Sequence, residues 1–389
     1  MVIMKIMRKS LRQRAGRSII SIIALAFSVA LLLVIGHIHE AVRSYAQQVS
    51  SEADLIVGAP SQPVHLVLYS LFRIGPPPPV IPWEIYEDIA GQQEMEWVTP
   101  VSTNESHRGY TVTGTTARYM DTLQLKAVNF IGSSGKGTAF RNDYSAFIGA
   151  ELAEEYQYQP GETLTIANGF SPSLKDEYPT PFIIQGILTE TGTSLDNNIL
   201  IPIEGLRKNR KTHGVKSDYI NFILIKLKRR QSLFAVQQAL KSKYEVPLEV
   251  VIPVLELEKL GYYERVLNNV FMAMSFIIGL LSLMMIFFNL SAGFAERKQE
   301  VELLRMVGAR PWQLAGLTLA EPMLHILFAL FSGVLVYKTS TLFLGSWIPV
   351  INSIQLPVQQ LFWLLALFLL GFLLACLPAW RMYGVSKRT

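Results

Sequence analysis

Seven residues, Gly132-Ser-Ser-Gly-Lys136-Gly-Thr138, come nearest to a phosphate-binding loop. Such a loop needs G-x-x-x-x-G-K-[ST] between a strand and a helix, so that backbone N–H groups cradle the phosphates. Here Lys136 is followed by Gly137 and position 130 is Phe, so the frame fails. The histidines His37, His39, His65, His107, His213 and His325 are scattered. His37 and His39 lie two apart, a spacing that puts them on different faces of a helix and denies them a shared metal. At a membrane boundary they read as interfacial polar groups. The lone cysteine, Cys376, sits in an apolar run, so neither an internal disulfide nor a cysteine metal site can form. Glu321-Pro322 places an ionisable group within an apolar stretch, where function is the default suspicion. A proton relay would want further acids in the other apolar stretches, and there are none. A structural role for Glu321 is preferred. No residue set points to an enzyme.

Chemistry being absent, the elements themselves carry the information. Half of the 389 residues are hydrophobic and only 17% are charged, below the ~25% of an ordinary soluble domain. The deficit is local. Ser18–Ile38 carries no charge and is long enough to cross a bilayer core as a helix, which takes ~20 apolar residues. It is too long for a cleaved signal peptide, and no small-x-small site follows it. Further apolar runs cover Leu267–Ala295, Gln313–Tyr337 and Thr339–Trp380. The last is interrupted by Pro349, Asn352, Ser353, Gln355, Pro357, Gln359 and Gln360, so its first half is expected to be a loop. The fold expected is a membrane protein of four transmembrane α-helices with a large α+β extracytoplasmic domain inserted between helices 1 and 2.

Its segments are a basic N-terminus (1–17), a first span (18–39), the domain with a stalk helix at each end (40–263), a second span (264–295), a loop (296–312), a third span (313–337), an outer loop (338–360), a fourth span (361–380) and a tail (381–389). Basic residues favour the cytoplasmic side. Lys5, Arg8, Lys9, Arg12, Arg14 and Arg17, then Arg297, Lys298, Arg305 and Arg310, then Arg381, Lys387 and Arg388 all fall on one face of this arrangement. Both termini are therefore expected in the cytoplasm. Because the first cluster abuts an apolar run, its partner is anionic lipid rather than nucleic acid.

Within the domain, runs rich in Ile, Val, Thr, Tyr and Phe predict strands at Tyr110–Thr115, Ala146–Gly149, Thr163–Ala167, Phe182–Leu188, Asn198–Ile203, Tyr219–Lys226 and Leu248–Ile252. Helical patterns fall at Trp83–Ala90, Glu151–Tyr156 and Ser232–Lys241. Stalks are expected over Glu40–Glu52 and Leu255–Asn268. Gly75–Pro79 with Pro82 predicts a rigid polyproline linker.

The most informative stretch is Glu296-Arg-Lys-Gln-Glu300-Val-Glu-Leu-Leu-Arg305-Met-Val-Gly308-Ala-Arg310-Pro-Trp-Gln. It continues the second span. Val301, Leu304 and Met306-Val307 give it an apolar surface among charges. Gly308 ends the helix and Pro311 starts the next. This is a short amphipathic element, sharply turned at the membrane surface.

That stretch resembles the E-R-x-x-E-[IV]-x-x-L-R-x-x-G-A pattern of MacB/FtsX-type ABC transporter permeases, matching at Glu296, Arg297, Glu300, Val301, Leu304, Arg305, Gly308 and Ala309. Leu11-Arg12-Gln13-Arg14 with Arg17 is similar to the family's entry to its first span. Ile148-Gly149-Ala150-Glu151-Leu152-Ala153, Pro160-Gly161-Glu162-Thr163-Leu164, Gly186-Ile187-Leu188, Thr191-Gly192-Thr193 with Asp196, and Pro378-Ala379 with Arg381 resemble later family elements in order. Val57–Pro82 departs from the pattern like an insert. The resemblance implies a MacB-like periplasmic core domain and a bacterial inner-membrane location. It implies that Glu296–Arg310, Arg310 included, is a coupling helix seated on a separate ATPase subunit. ATP and Mg would sit on that partner, with no cofactor on this chain. It further implies a second permease chain, expected as a homodimer, and mechanotransmission that serves export or extraction of a lipoprotein, peptide or hydrophobic substrate. The competing expectation is an FtsX-like signalling scaffold that activates a periplasmic enzyme. The substrate and any periplasmic protein partner are left open.

Overall fold

In the computed structural model the residues described are 15–123, 127–128, 140–169, 180–191, 194–214, 218–259, helical residues among 261–288, 311–347, and helical residues among 362–376. The chain divides into two units, 1–42 with 263–347 and 351–389, and 43–262 with 348–350.

The second unit is built on one sheet. The chain enters it on helix α1 (Ala15–Glu52), then forms β1 (Leu55–Gly58), α2 (Pro63–Phe72), β2 (Ile81–Pro82), α3 (Trp83–Ala90), β3 (Met95–His107), β4 (Tyr110–Thr115), α4 (Ala117–Thr122) and β5 (Ala127–Val128). It continues with β6 (Ser145–Ile148), α5 (Ala150–Glu155), β7 (Thr163–Leu164), β8 (Ala167–Asn168), β9 (Phe182–Leu188), β10 (Ile199–Pro202), α6 (Ile203–Thr212), β11 (Tyr219–Ile220), β12 (Phe222–Leu227), α7 (Leu233–Lys243) and β13 (Glu249–Val251). Among the described residues, the main sheet runs β13-β1-β12-β3-β4-β10-β6-β9-β5, with β7 on β9 and β8 on β3, while β2 and β11 pair separately.

Alternation along the strands makes two cores. Leu55 and Val57 of β1, with Ile223 and Ile225 of β12, face one side, where Ile85 and Ile89 of α3 and Val236 and Leu240 of α7 cover them. Ile56, Phe222 and Leu224 face the other side, under Leu66, Val67 and Tyr69 of α2, Met120 of α4, and Val49 of α1. Because both faces are covered, β12 reads as a nearly continuous apolar run, Phe-Ile-Leu-Ile-Lys-Leu, interrupted by the half-buried Lys226, rather than an alternating one.

The long strand β3 holds the sheet's two halves together. Met95–Val101 pairs antiparallel with β12, whereas Ser102–His107 pairs with β4, with a register shift between Ser102 and Glu105. Polar side chains gather at this changeover. The Arg210 guanidinium, from α6, is fully buried and donates to Glu105 Oε1 at 2.5 and 2.7 Å, to Ser102 Oγ at 2.5 Å and to the Tyr219 carbonyl at 2.8 Å. It lies 3.9 Å from the Tyr219 ring centroid. Asn221 accepts from the Thr103 N–H and donates to the carbonyl of Pro78 and to Asn104 Oδ1. The expected strand Tyr219–Lys226 is therefore two strands, broken where Asn221 ties the sheet to the proline run.

Strands Tyr110–Thr115 and Phe182–Leu188 and helix Trp83–Ala90 lie where the sequence predicts them. Thr163–Ala167 is instead split between β7 and β8. Val57–Pro82 holds β1's end, α2 and β2, all joined to the sheet or its core.

The first unit has a helical core of its own. Leu25, Val29, Leu32 and Leu33 of α1 pack with Leu283, with Ile326, Ala329 and Tyr337 of helix α8 (Pro311–Trp347), and with Leu364 and Phe368. Its outer surface exposes Ile20, Ile23, Phe27, Phe328, Phe331 and Leu342 among other large apolar side chains, a surface suited to lipid. α8 corrects one expectation. The outer loop predicted from residue 338 is helical to Trp347. Lys338 is a charge but not a helix breaker, and the hydroxyls of Thr339 and Thr341 bond back to the carbonyls of Leu335, Val336 and Lys338.

Removing one member of a buried ion pair strands the other, at a cost of about 3–5 kcal/mol. Arg210→Met is expected to lower the melting temperature of the purified chain sharply, and adding Glu105→Leu should recover most of the loss. A single variant that melts with the wild type would show that the pair does not hold the changeover in β3.

Candidate functional site

The residues that bind α1 to the domain lie where that helix stops. Past Gly36, α1 contains no glycine or proline up to Glu52. The last carbonyls of any helix lack intrahelical partners. Here the Ser51 carbonyl accepts from Lys226 Nζ at 2.7 Å and from Arg230 Nη2 at 3.0 Å. Cations at this end also suit the helix dipole. Two residues on, Asp54 is buried at the first turn into β1. It accepts from the Leu227 N–H at 2.9 Å and from Arg230 Nε at 3.1 Å, while its own N–H donates to the Ile225 carbonyl at 2.8 Å. Lys226 Nζ stands 3.6 Å from Asp54. Helix end and strand start are thus bound to β12 and the turn after it, between β1 and β3 in the sheet.

One and two turns back, α1 meets the rest of the domain. Val49 joins the core beneath the sheet, and the Tyr45 ring lies 6.1 Å from that of Phe72, the last residue of α2. Burial pushes the Tyr45 phenol above its ordinary range, and the negative charge of Asp196 adds to the shift. Arg73 then ends α2 in a left-handed conformation, φ 58°. Its guanidinium lies 5.2, 5.5 and 5.4 Å from the rings of Tyr69, Tyr119 and Phe222 and donates to Tyr119 Oη at 2.7 Å. Burial raises the Tyr119 phenol, against the opposing pull of the Arg73 charge.

In the helical unit, close packing comes from small residues. A Cβ at Gly333 would meet the Ala26 carbonyl and the Val29 side chain at 2.8 Å, and one at Gly371 would meet Ile326 at 2.8 Å. His37 is buried, and the Tyr337 hydroxyl lies 2.8 Å from its Nδ1. The expectation of a merely interfacial His37 is corrected, because the ring joins two helices.

The sequence-predicted coupling residues Glu296, Arg297, Glu300, Val301, Leu304, Arg305, Gly308, Ala309 and Arg310 lie outside the described residues. So do Leu11–Arg14, Gly132–Thr138, Pro378-Ala379 and Arg381, and the side chain of Glu321. Pro311 does begin a helix. Two of the quoted domain elements touch. A Cβ at Gly149 would meet the Asp196 carbonyl at 2.2 Å, and Asp196 in turn accepts from the N–H and hydroxyl of Thr191. Gly161, at φ 103°, turns the chain so that its N–H reaches the Ile184 carbonyl of β9. Reasoning from sequence missed Asp54, Arg230 and Arg73. The available signal was the lone acid between a polar helix and Leu-Ile-Val.

Asp54→Ala is expected to speed amide exchange about tenfold or more at Leu227 and in peptide 48–52, the loss corresponding to ~1.4 kcal/mol of local stability. Exchange unchanged at both would dismiss Asp54 as the anchor of the joint.

The model of the MacB-like periplasmic core domain matches residues 18–243, and that of the FtsX-like permease C-terminal matches 272–385. No curated protein matches. Among solved structures, the chain is similar to the periplasmic region of MacB from Actinobacillus actinomycetemcomitans, at 10% identity and a TM-score of 0.36, covering 54% of this chain and 95% of that one. It is also similar to the extracellular domain of the noncanonic ABC-type transporter YknZ from Gram-positive bacteria, at 13% identity and a TM-score of 0.32, covering 51% and 99%. With more than half of the chain matched by the first family model and the region from 272 to 385 by the second, the chain belongs to the MacB/FtsX-type ABC transporter permeases, membrane permeases with an extracytoplasmic domain.

Proposed function

We propose that this chain is the permease subunit of an ABC transporter, and that it turns ATP hydrolysis on a separate ATPase subunit into movement of its extracytoplasmic domain. Four helices span the inner membrane, at about 18–39, 264–295, 313–337 and 361–380, with both termini cytoplasmic. Two copies pair, and each seats Glu296–Arg310 on one ATPase, which carries the ATP and Mg. The permease supplies no catalytic group and no cofactor site. Its cargo is a lipoprotein, peptide or other hydrophobic molecule that need not cross the bilayer through it.

The observation that carries this reading is α1. It is one helix from Ala15 to Glu52, and its far end is bonded to the sheet through Ser51 and Asp54. A continuous helix fixed to a packed body passes displacement on rather than absorbing it. Family membership implies the ATPase, and the amphipathic sequence of Glu296–Arg310 suits a place for it.

Co-purification from detergent tests the reading. The wild-type chain is expected to retain its ATPase, and Arg305→Glu with Gly308→Trp is expected to lose it while keeping the wild-type melting temperature. Equal retention by both would remove the coupling assignment, and with it the transport reading.

A further inference from the structure

The proline run after α2 passes from one face of the sheet to the other. Leu71, near the end of α2, belongs to the core beneath the sheet, whereas Ile81 and Trp83 belong to the core on the opposite face. Residues 72–80 carry the chain between them, past the start of β12, where the Asn221 amide donates to the Pro78 carbonyl at 2.7 Å. Pro78 is buried there, with Pro76 and Pro79 exposed on either side.

Both ends of the run are held. At the near end Phe72 meets Tyr45 of α1, and Arg73 leaves α2 at φ 58° with its guanidinium among the rings of Tyr69, Tyr119 and Phe222. At the far end Ile81 and Pro82 pair with Ile220 and Tyr219. Two hydrogen-bonded routes lead from there to the changeover in β3. Asn221, already bonded to Pro78, accepts from the Thr103 N–H and donates to Asn104 Oδ1. The Tyr219 carbonyl accepts from Arg210, which also holds Ser102 and Glu105.

Between these holds the backbone has little freedom. Residues 76–79 are all proline, and proline fixes φ at about −65°. Each of residues 75–78 precedes a proline, which restricts its own conformation as well.

We propose that residues 73–82 are a stiff strap over the end of the sheet, coupling the seat of α1 at Tyr45 to the changeover in β3 by a route separate from the joint at Asp54. A shift of Phe72 and Arg73 is not taken up by rotation within the prolines, so it reaches Asn221 and Tyr219. A flexible loop would close the same gap at little extra entropic cost but would pass nothing on. The strap rests on the proposed function for the movement of α1, while the coupling itself lies within the extracytoplasmic domain.

A coupling route is established only by measured coupling. Amide exchange of the full chain in detergent supplies it, without the ATPase, so that the strap and the co-purification above can fail separately. Tyr45→Ala releases the near end. Pro76→Gly with Pro79→Gly, both at exposed positions, slackens the strap. Tyr45→Ala is expected to speed exchange in peptide 102–107 about threefold when the strap is stiff. With the strap slack, adding Tyr45→Ala is expected to leave that peptide at the rate of the slack strap alone. Peptide 222–227, which holds the Leu227 N–H bonded to Asp54, is expected to respond to Tyr45→Ala alike in both backgrounds. Equal acceleration of peptide 102–107 with stiff and slack straps would leave the prolines a role in stability alone and overturn the proposal. No acceleration with either would overturn it too. If the double glycine variant melts too low to measure, Pro79→Gly takes its place and the same results decide.

Discussion

The last turn of α1 imposes the constraint on which the domain depends. The end of a helix presents carbonyls that need donors, and here the chain must become a strand within two residues. Lys226 and Arg230 meet the Ser51 carbonyl, and Asp54 binds the backbone of Leu227. All three partners belong to β12 or the turn after it, so the helix end is fixed to the strand between β1 and β3. A surface ion pair would contribute little. This one has a buried carboxylate and shares its donors with the helix cap, so each group holds another in place.

Under the proposed function, movement delivered to β12 reaches the rest of the sheet, among the described residues, through β3. β3 pairs with β12 over its first half and with β4 over its second, so the two halves move together only if β3 stays rigid at its register shift. Bulges usually bend a strand. Arg210 opposes this by bonding Ser102 and Glu105 on the two sides of the shift at once. A charged pair is a costly way to fill a core, and its use here matches a need for fixed geometry more than for stability.

The sequence was legible wherever burial follows a simple period. Tyr110–Thr115 and Phe182–Leu188 show strand residues, and Trp83, Ile85 and Ile89 mark the buried side of α3. β3 escaped because Pro100 and the run Ser102–Ser106 look like a loop. Those polar side chains are nearly all buried, made tolerable by partners more than a hundred residues away, such as Arg210 and Asn221. α6 escaped for the same reason, since Arg-Lys-Asn-Arg-Lys reads as solvated while Asn209 and Arg210 are buried. The joint at Asp54 likewise depends on Arg230, which local pattern cannot bring near it. The assignment of Glu296–Arg310 rests on resemblance alone, and those residues lie outside the described ones.

Under the proposed function, α1 must be stiff between its points of attachment. In the helical unit it is held by Gly333, which allows α8 to approach Ala26 and Val29, and by the bond between Tyr337 and His37. In the domain it is held at Ser51. No glycine or proline lies between His37 and Ser51. Apolar packing alone leaves a membrane helix free to slide, because lipid satisfies the same surface almost as well. A hydrogen bond between buried rings does not tolerate sliding by a turn. His37 and Tyr337 therefore fix the register of α1 on α8, so that displacement of α8 is passed to α1 instead of being lost between them.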